Sequence, residues 1–214
     1  GVTIRARVAA IGTVKLPFES WDEVGNNPFF AANASNIAEA EAYLQGLRTT
    51  GDSIGATLEF EVTGVPVGWG SPVYDRLDAA LAYALMGVNA VKAVELGNGF
   101  EAAVTSGSQG NDQMSREGFV TNHAGGVLGG ISSGAPLYGR LAVKATPSVL
   151  VPLKSLDTEG NEIELITKGR HDPCVGIRAV PVVEAVIALT LIDAALMQRA
   201  QCGNLGVPLK QALH

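Results

Sequence analysis

Arg170-His171-Asp172 stands directly ahead of a long apolar stretch, and a second arginine, Arg178, follows within the same run. Two guanidiniums can grip an anion through paired N–H donors, and a carboxylate beside them can move a proton. The run Arg170 to Pro181 therefore reads as anion-binding and proton-handling chemistry gathered at one end of a helix. A plainer reading makes Asp172 the N-cap, Pro173 the first helical residue, and Arg170 with Asp172 an ion pair at the helix start. Both roles are compatible.

Two further clusters carry chemistry-bearing residues. The first is Asn122 to Gly134, with Gly125, Gly126, Gly129 and Gly130 followed by Ser132 and Ser133. Such a segment suits close approach of the backbone to a phosphate or flavin, and equally suits a glycine-rich tight turn. No G-K-[ST] follows, so it is not a Walker loop. Gly130-Ile131-Ser132-Ser133-Gly134 matches G-x-S-x-G, but a nucleophile elbow needs a strand before the serine and a helix after it. Here glycines precede the serine, Pro136 leads into a strand, and the only histidine after Asp172 is His214. The second cluster is Lys144-Ala145-Thr146-Pro147-Ser148, where a strand ends in a cation, hydroxyls and a proline turn. That is an anion-site composition and also an ordinary strand exit. No histidine and cysteine spacing supports zinc, and no metal is expected.

Periodicity supplies the elements that must position these groups. Val2–Leu16 alternates as a strand. Glu19–Ala34 reads as loop. Asn36 with Glu39 resembles a capping box ahead of a helix carrying Ile37, Ala40, Tyr43, Leu44 and Leu47, which Gly51 stops. Ser53–Thr63 reads as a strand with Leu58, Phe60 and Val62 on one face. Pro66–Pro72 is a turn, and Val73–Val88 a helix with Asp75 and Asp78 near its positive end. Val91–Leu96 is a short strand. Gly97–Thr121 is a polar surface loop containing a strand at Glu101–Val104. Leu137–Lys144, Ser148–Leu153 and Glu162–Thr167 are strands, with a turn at Asp157-Thr158-Glu159-Gly160. Pro173–Gln201 is a long helix, followed by a loose tail. Helices among antiparallel strands give an α+β class, expected as a single domain over residues 1–214.

Composition narrows the function. The formal net charge is −6 and aromatics are 6%, which argues against a nucleic-acid surface or a base-stacking platform. Cys174 and Cys202 fall in one expected helix, roughly 42 Å apart if it is straight, so a disulfide is excluded and a reducing, cytoplasmic setting is expected. The apolar run Ala179–Ile192 is short for a membrane span and reads as a buried core helix. The chain starts at Gly1 in strand-like sequence, as a processed or cut piece of a longer protein would.

These segments together resemble the chorismate synthases. The matching stretches are Gly51-Asp52-Ser53-Ile54-Gly55-Ala56, Gly64-Val65-Pro66-Val67-Gly68, Asp75-Arg76-Leu77-Asp78-Ala79, Asn89-Ala90-Val91-Lys92-Ala93-Val94-Glu95, Asn122 to Gly134, and Gly169 to Glu184. They run in the family's order and cover nearly the whole chain. The resemblance implies a β-α-β sandwich with antiparallel sheets packed around long central helices. It implies a 1,4-anti elimination of phosphate from 5-enolpyruvylshikimate 3-phosphate to chorismate, which needs reduced FMN without net redox change. It implies a cytoplasmic homotetramer with no nucleic-acid or membrane partner. By the same resemblance Asn89, Ala90 and Gly129 contact FMN, and Lys144, Ala145, Thr146, Pro147 and Ser148 form the strand end at the flavin phosphate. Ala145 stands where the family usually has proline. Arg170 lies at flavin and substrate, and Asp172 manages a proton at flavin N5.

The family's leading Gly-Glu-Ser-His-Gly, Arg-Pro-Gly-His and Arg-Gly-Gly-Gly-Arg-Ser-Ser-Ala-Arg motifs are absent from this sequence. They supply its two general-acid histidines and most of its substrate-binding arginines. The expectation is a C-terminal part, inactive alone, with apolar surface left exposed and prone to associate. An inert remnant and a glycine-loop phosphate-binding module are the alternatives.

Overall fold

The computed structural model describes residues 1–203. Its strands and helices in chain order are β1 (Thr3–Ile11), β2 (Val14–Lys15), α1 (Ile37–Thr50), β3 (Ala56–Thr63), α2 (Leu77–Met86), β4 (Val91–Leu96), α3 (Gly107–Gly110), β5 (Met114–Ser115), β6 (Gly118–Phe119), β7 (Val127–Leu128), β8 (Ile131–Ser132), β9 (Leu137–Val143), β10 (Leu153–Leu156), β11 (Glu162–Leu165) and α4 (Gly176–Cys202). The expected tail, and His214 with it, lie outside the described residues.

Alternation of apolar and polar residues builds the main sheet. Its order is β2-β1-β3-β9-β4, antiparallel throughout. Ala6, Val8, Leu58, Phe60, Val62, Leu137 and Leu141 share the face that α2 and α4 cover, and all are buried. Arg7, Glu59, Glu95 and Arg140 take the opposite face, where Arg7 pairs with Glu59 and Arg140 with Glu95. This is the half-covered sheet that an antiparallel α+β fold favours.

Helix α4 crosses β1 and β3 and packs on α2. Val180, Val183, Ile187 and Leu191 form its buried strip, each worth about 1.5–3 kcal/mol when removed from water. Glu184, the lone carboxylate of this apolar stretch, accepts a hydrogen bond from the Ala6 backbone N–H at 2.8 Å. It thereby satisfies a backbone donor on the exposed edge of β1. The helix is longer than the apolar run alone, and by length and composition it could cross a membrane. Only 22% of its most apolar window is buried, so the core-helix expectation holds along one strip. The outer side leaves Val182, Leu189, Ile192, Leu196 and Met197 exposed, beside Tyr83 and Met86 of α2.

Several elements differ from the sequence reading, each for a tertiary reason. Val2–Leu16 is a hairpin, turning at Gly12. Asn36 adopts φ −105° and ψ 8°, which is not extended, so its side chain bonds Glu39 and caps no backbone N–H. The helix expected from Val73 begins at Leu77, because Asp75 is held at φ 58° and the Leu77 N–H is taken by the Gly130 carbonyl. Glu101–Val104 is no strand: Gly99–Ala103 forms a 3-10 turn whose local bonds leave nothing to pair. Ser148–Leu153 is irregular, since the Leu150 N–H goes to the Gly51 carbonyl, and the strand starts at Leu153. Helix α4 starts at Gly176 and not at Pro173, and Cys174 therefore precedes it. Both cysteines are free.

Gly139 tests the sheet. A Cβ there would meet the Glu95 carbonyl oxygen at 2.2 Å and the Phe60 ring at 2.9 Å, whereas one at Gly46 in α1 would meet nothing. Gly139→Ala is expected to cost about 2–4 kcal/mol of unfolding free energy and Gly46→Ala to gain a few tenths, both read by urea denaturation. The apolar outer face of α4 generates a second expectation: the isolated chain self-associates with concentration in sedimentation velocity, and Leu189→Glu weakens that association.

Candidate functional site

Three loops meet where β9 leaves the sheet. Val143 pairs with Ala56 of β3 and with Val91 of β4, so Lys144 emerges between the starts of both strands. Its backbone N–H donates to the Ala90 carbonyl at 2.8 Å. Ala90 itself sits at φ 70°, a left-handed conformation costing a non-glycine residue about 1–2 kcal/mol. Strain of that kind concentrates where surrounding structure over-determines a functional backbone.

The segment after Lys144 is stitched to the Arg170–Asp172 run. Ser53 Oγ donates to the Thr146 carbonyl at 2.6 Å. Thr146 Oγ1 donates to the Asp172 carbonyl at 2.9 Å. Ser148 Oγ lies 2.9 Å from His171 Nδ1, and the Ile54 N–H donates to the Pro173 carbonyl at 2.8 Å. These tethers hold residues 172–174 out of the helix, so Val175 is the N-cap and no side chain caps α4. Asp172 is thus not the cap. Its carboxylate pairs with Arg178 and not with Arg170. Lys144 and Arg170 are exposed, and among the described residues neither makes an ion pair.

Beside this cluster lies a groove of about 950 Å³ between the end of α2 and the start of α4. Tyr83, Met86, Val175 and Val182 give it apolar walls, while Asn89 and Arg178 add polar groups. An apolar cleft of roughly 300–1,000 Å³ with a few convergent polar groups is what a small organic ligand needs. Lys144, Ser148 and Arg170 are not in the groove's lining; their loop adjoins it through the Lys144–Ala90 bond next to Asn89. Asn89, Ala90, Lys144, Ala145, Thr146, Pro147, Ser148, Arg170 and Asp172 are all brought together here.

Gly129 is not among them. Gly129 and Gly130 form the two-residue turn of the β7–β8 hairpin, with φ 59° and 87°. Left-handed values at both central residues make this a primed hairpin turn, which glycine fits without strain. The Gly130 carbonyl is bonded to Leu77 at the start of α2, whereas Asn89 follows its end. The ten residues of α2 separate the two by about 15 Å. Ser132 of the G-x-S-x-G match is 1% exposed. Its hydroxyl donates to the Pro66 carbonyl and accepts from the Trp69 N–H, so it is a staple and not a nucleophile. Among the described residues no cluster of histidine, cysteine and carboxylates could hold a metal.

The sequence reading missed Arg178 as the partner of Asp172. A helix from Pro173 would place the two on different faces, and only the tether at Pro173 turns the chain back. It also missed Ser53, whose type and position gave no signal. Burial pushes the Cys174 thiol pKa up, with the Asp172 charge adding to it, against N–H bonds from Gly176 and Ile177. That keeps Cys174 protonated and unreactive.

The chorismate synthase family model matches residues 1–196. A chorismate synthase of Thiobacillus denitrificans is 53% identical over 214 residues, covering 99% of this chain and 58% of the relative. One of Aromatoleum aromaticum is 53% identical over 204 residues, covering 95% of this chain and 54% of the relative. A solved crystal structure of a chorismate synthase is similar with a TM-score of 0.75 at 27% identity, covering 92% of this chain and 58% of that one. The chain therefore spans somewhat more than half the length of the curated relatives it matches.

Asp112 anchors the glycine-dense segment. Partial burial works to raise its pKa, but N–H groups of Ala124 and His123 outweigh that and hold the carboxyl below its ordinary value. A depressed folded-state pKa stabilises above the unfolded pKa and is lost as pH falls through the folded one. Asp112→Ala should therefore cost about 1 kcal/mol at neutral pH, discounted for partial exposure. Denaturation at a series of pH values should show that difference closing in acid.

Proposed function

This chain belongs to the chorismate synthase family, and we propose that it forms the flavin-side part of an enzyme eliminating phosphate from 5-enolpyruvylshikimate 3-phosphate to give chorismate. The observation that carries this reading is the meeting of Lys144–Ser148 with Arg170–Asp172 beside the groove at Asn89.

When bound, reduced FMN supplies an electron transiently to the substrate and is regenerated, so the 1,4-anti elimination has no net redox change. Lys144, Ser148 and Arg170 hold the flavin phosphate and neighbouring anionic groups, as exposed cations and a hydroxyl can. Ala145 and Pro147 shape that turn. Thr146 spends its hydroxyl on the Asp172 carbonyl and so positions the aspartate. The Asn89 amide lines the groove that would take the ring, and the Ala90 backbone adjoins it. Asp172 would handle a proton at flavin N5 through its carboxylate, which Arg178 pairs and orients. Gly129 contributes to flavin binding only if a second copy or another segment brings it to a site.

The general-acid histidines and most substrate-binding arginines belong to family motifs that this sequence does not contain. The chain alone is accordingly inactive. A homo-oligomer is consistent with the exposed apolar face of α4, and a reducing, cytoplasmic setting with free Cys174 and Cys202. The glycine-loop module is the weaker reading, because the Gly125 and Gly126 N–H groups, the donors a phosphate would need, are already spent on Asn122.

In the full-length protein, Asp172→Ala should lower turnover by about 100-fold or more. FMN affinity, measured by flavin fluorescence, should change little. Collapse of flavin binding in that variant would make Asp172 a structural residue. Chorismate formation by the isolated 214-residue chain, supplied with reduced FMN and substrate, would overturn the division of labour proposed here.

A further inference from the structure

His171 lies between Arg170 and Asp172, and both of its ring nitrogens are engaged. Nδ1 is 2.9 Å from Ser148 Oγ, and Nε2 is 3.1 Å from the Thr167 carbonyl. The ring therefore ties together the exit of β9, the return from β11 and the approach to α4. Gly169 makes room for it: at φ 147°, a Cβ would stand 3.3 Å from Nε2.

The partners fix where the protons are. A carbonyl oxygen only accepts, so Nε2 carries a hydrogen. In the neutral ring Nδ1 is then an acceptor and draws the Ser148 hydroxyl proton toward itself. In the charged ring Nδ1–H donates to Ser148 Oγ, and the hydroxyl proton is free to point away. Only the second arrangement lets Ser148 donate to an anion. Charged residues on the segments that meet here are Lys144 on the β9 exit, Lys168 and Arg170 on the β11 return, Asp52 on the α1–β3 connection, and the Asp172–Arg178 pair at α4.

We propose that His171 is a positioning residue that turns the Ser148 hydroxyl toward the phosphate of the bound flavin. This rests on the reading that the Lys144–Ser148 loop holds that phosphate.

The test compares FMN with riboflavin, which has the same ring and no phosphate, in fluorescence titrations of the full-length protein. In His171→Gln the longer amide reaches the Thr167 carbonyl but not Ser148. In His171→Asn the shorter amide can still donate to Ser148 Oγ. His171→Gln should lose about tenfold in FMN affinity, the worth of one charge-assisted hydrogen bond, with riboflavin unchanged. His171→Asn should stay within about threefold of wild type on the same scale. Ser148→Ala should match His171→Gln, and combining the two should lose little more. Thermal unfolding midpoints report on folding of each variant. Equal losses in the Gln and Asn variants, a matching loss for riboflavin, or additive losses in the double variant would each overturn the proposal. If wild type binds FMN no better than riboflavin, the phosphate-loop reading itself falls and takes this one with it.

Discussion

The double pairing of β9, with β3 on one side and β4 on the other, is the constraint on which the site depends. It brings Val143 opposite both Ala56 and Val91, and so delivers Lys144 between two loops that would otherwise be unrelated. A slip of one residue would turn every side chain of β9 to the other face and move the loop by one pairing. Gly139 guards the register, since it lets the Phe60 ring and the Glu95 carbonyl close on the strand.

Backbone polar groups do the rest of the assembly. Loops that leave the sheet lack ladder partners, and buried N–H and C=O groups must find others. Here they find one another: Ala90 with Lys144, Thr146 with Ser53 and Asp172, Pro173 with Ile54. Each bond is worth only about 0.5–1.5 kcal/mol net, but they connect loops from four parts of the chain. The same demand explains Glu184, which meets the open edge of β1 from within an apolar helix. The helix start is displaced for this reason too. Pro173 is pinned to Ile54, so the first turn of α4 waits until Gly176, and Asp172 is left free to pair with Arg178.

Much of this was legible in the sequence. Two-residue alternation marked β3, β4 and most of β9, and the spacing of Ala40, Leu44 and Leu47 marked α1. The chemistry-bearing clusters at Lys144–Ser148 and Arg170–Asp172 stood out by residue type, and the family resemblance placed them together. Boundaries were less legible. Asp75 and Leu77 set the start of α2 through a left-handed backbone and a bond to Gly130, neither of which periodicity contains. Ser53 gave no signal by type, because a hydroxyl that spans loops looks like any surface hydroxyl.

The sequence by itself determined the class of fold, the family, and which residue types could hold an anion and a proton. Those follow from local patterning and composition, which are properties of neighbours along the chain. Only the tertiary structure decided which of these residues meet. It tied the Lys144–Ser148 loop to Asp172 through Thr146 and to His171 through Ser148, gave that aspartate Arg178 as its partner, and set Gly129 at the far end of α2. Those outcomes are fixed by strand register and by bonds between segments as distant along the chain as Ile54 and Pro173, and no local pattern encodes them.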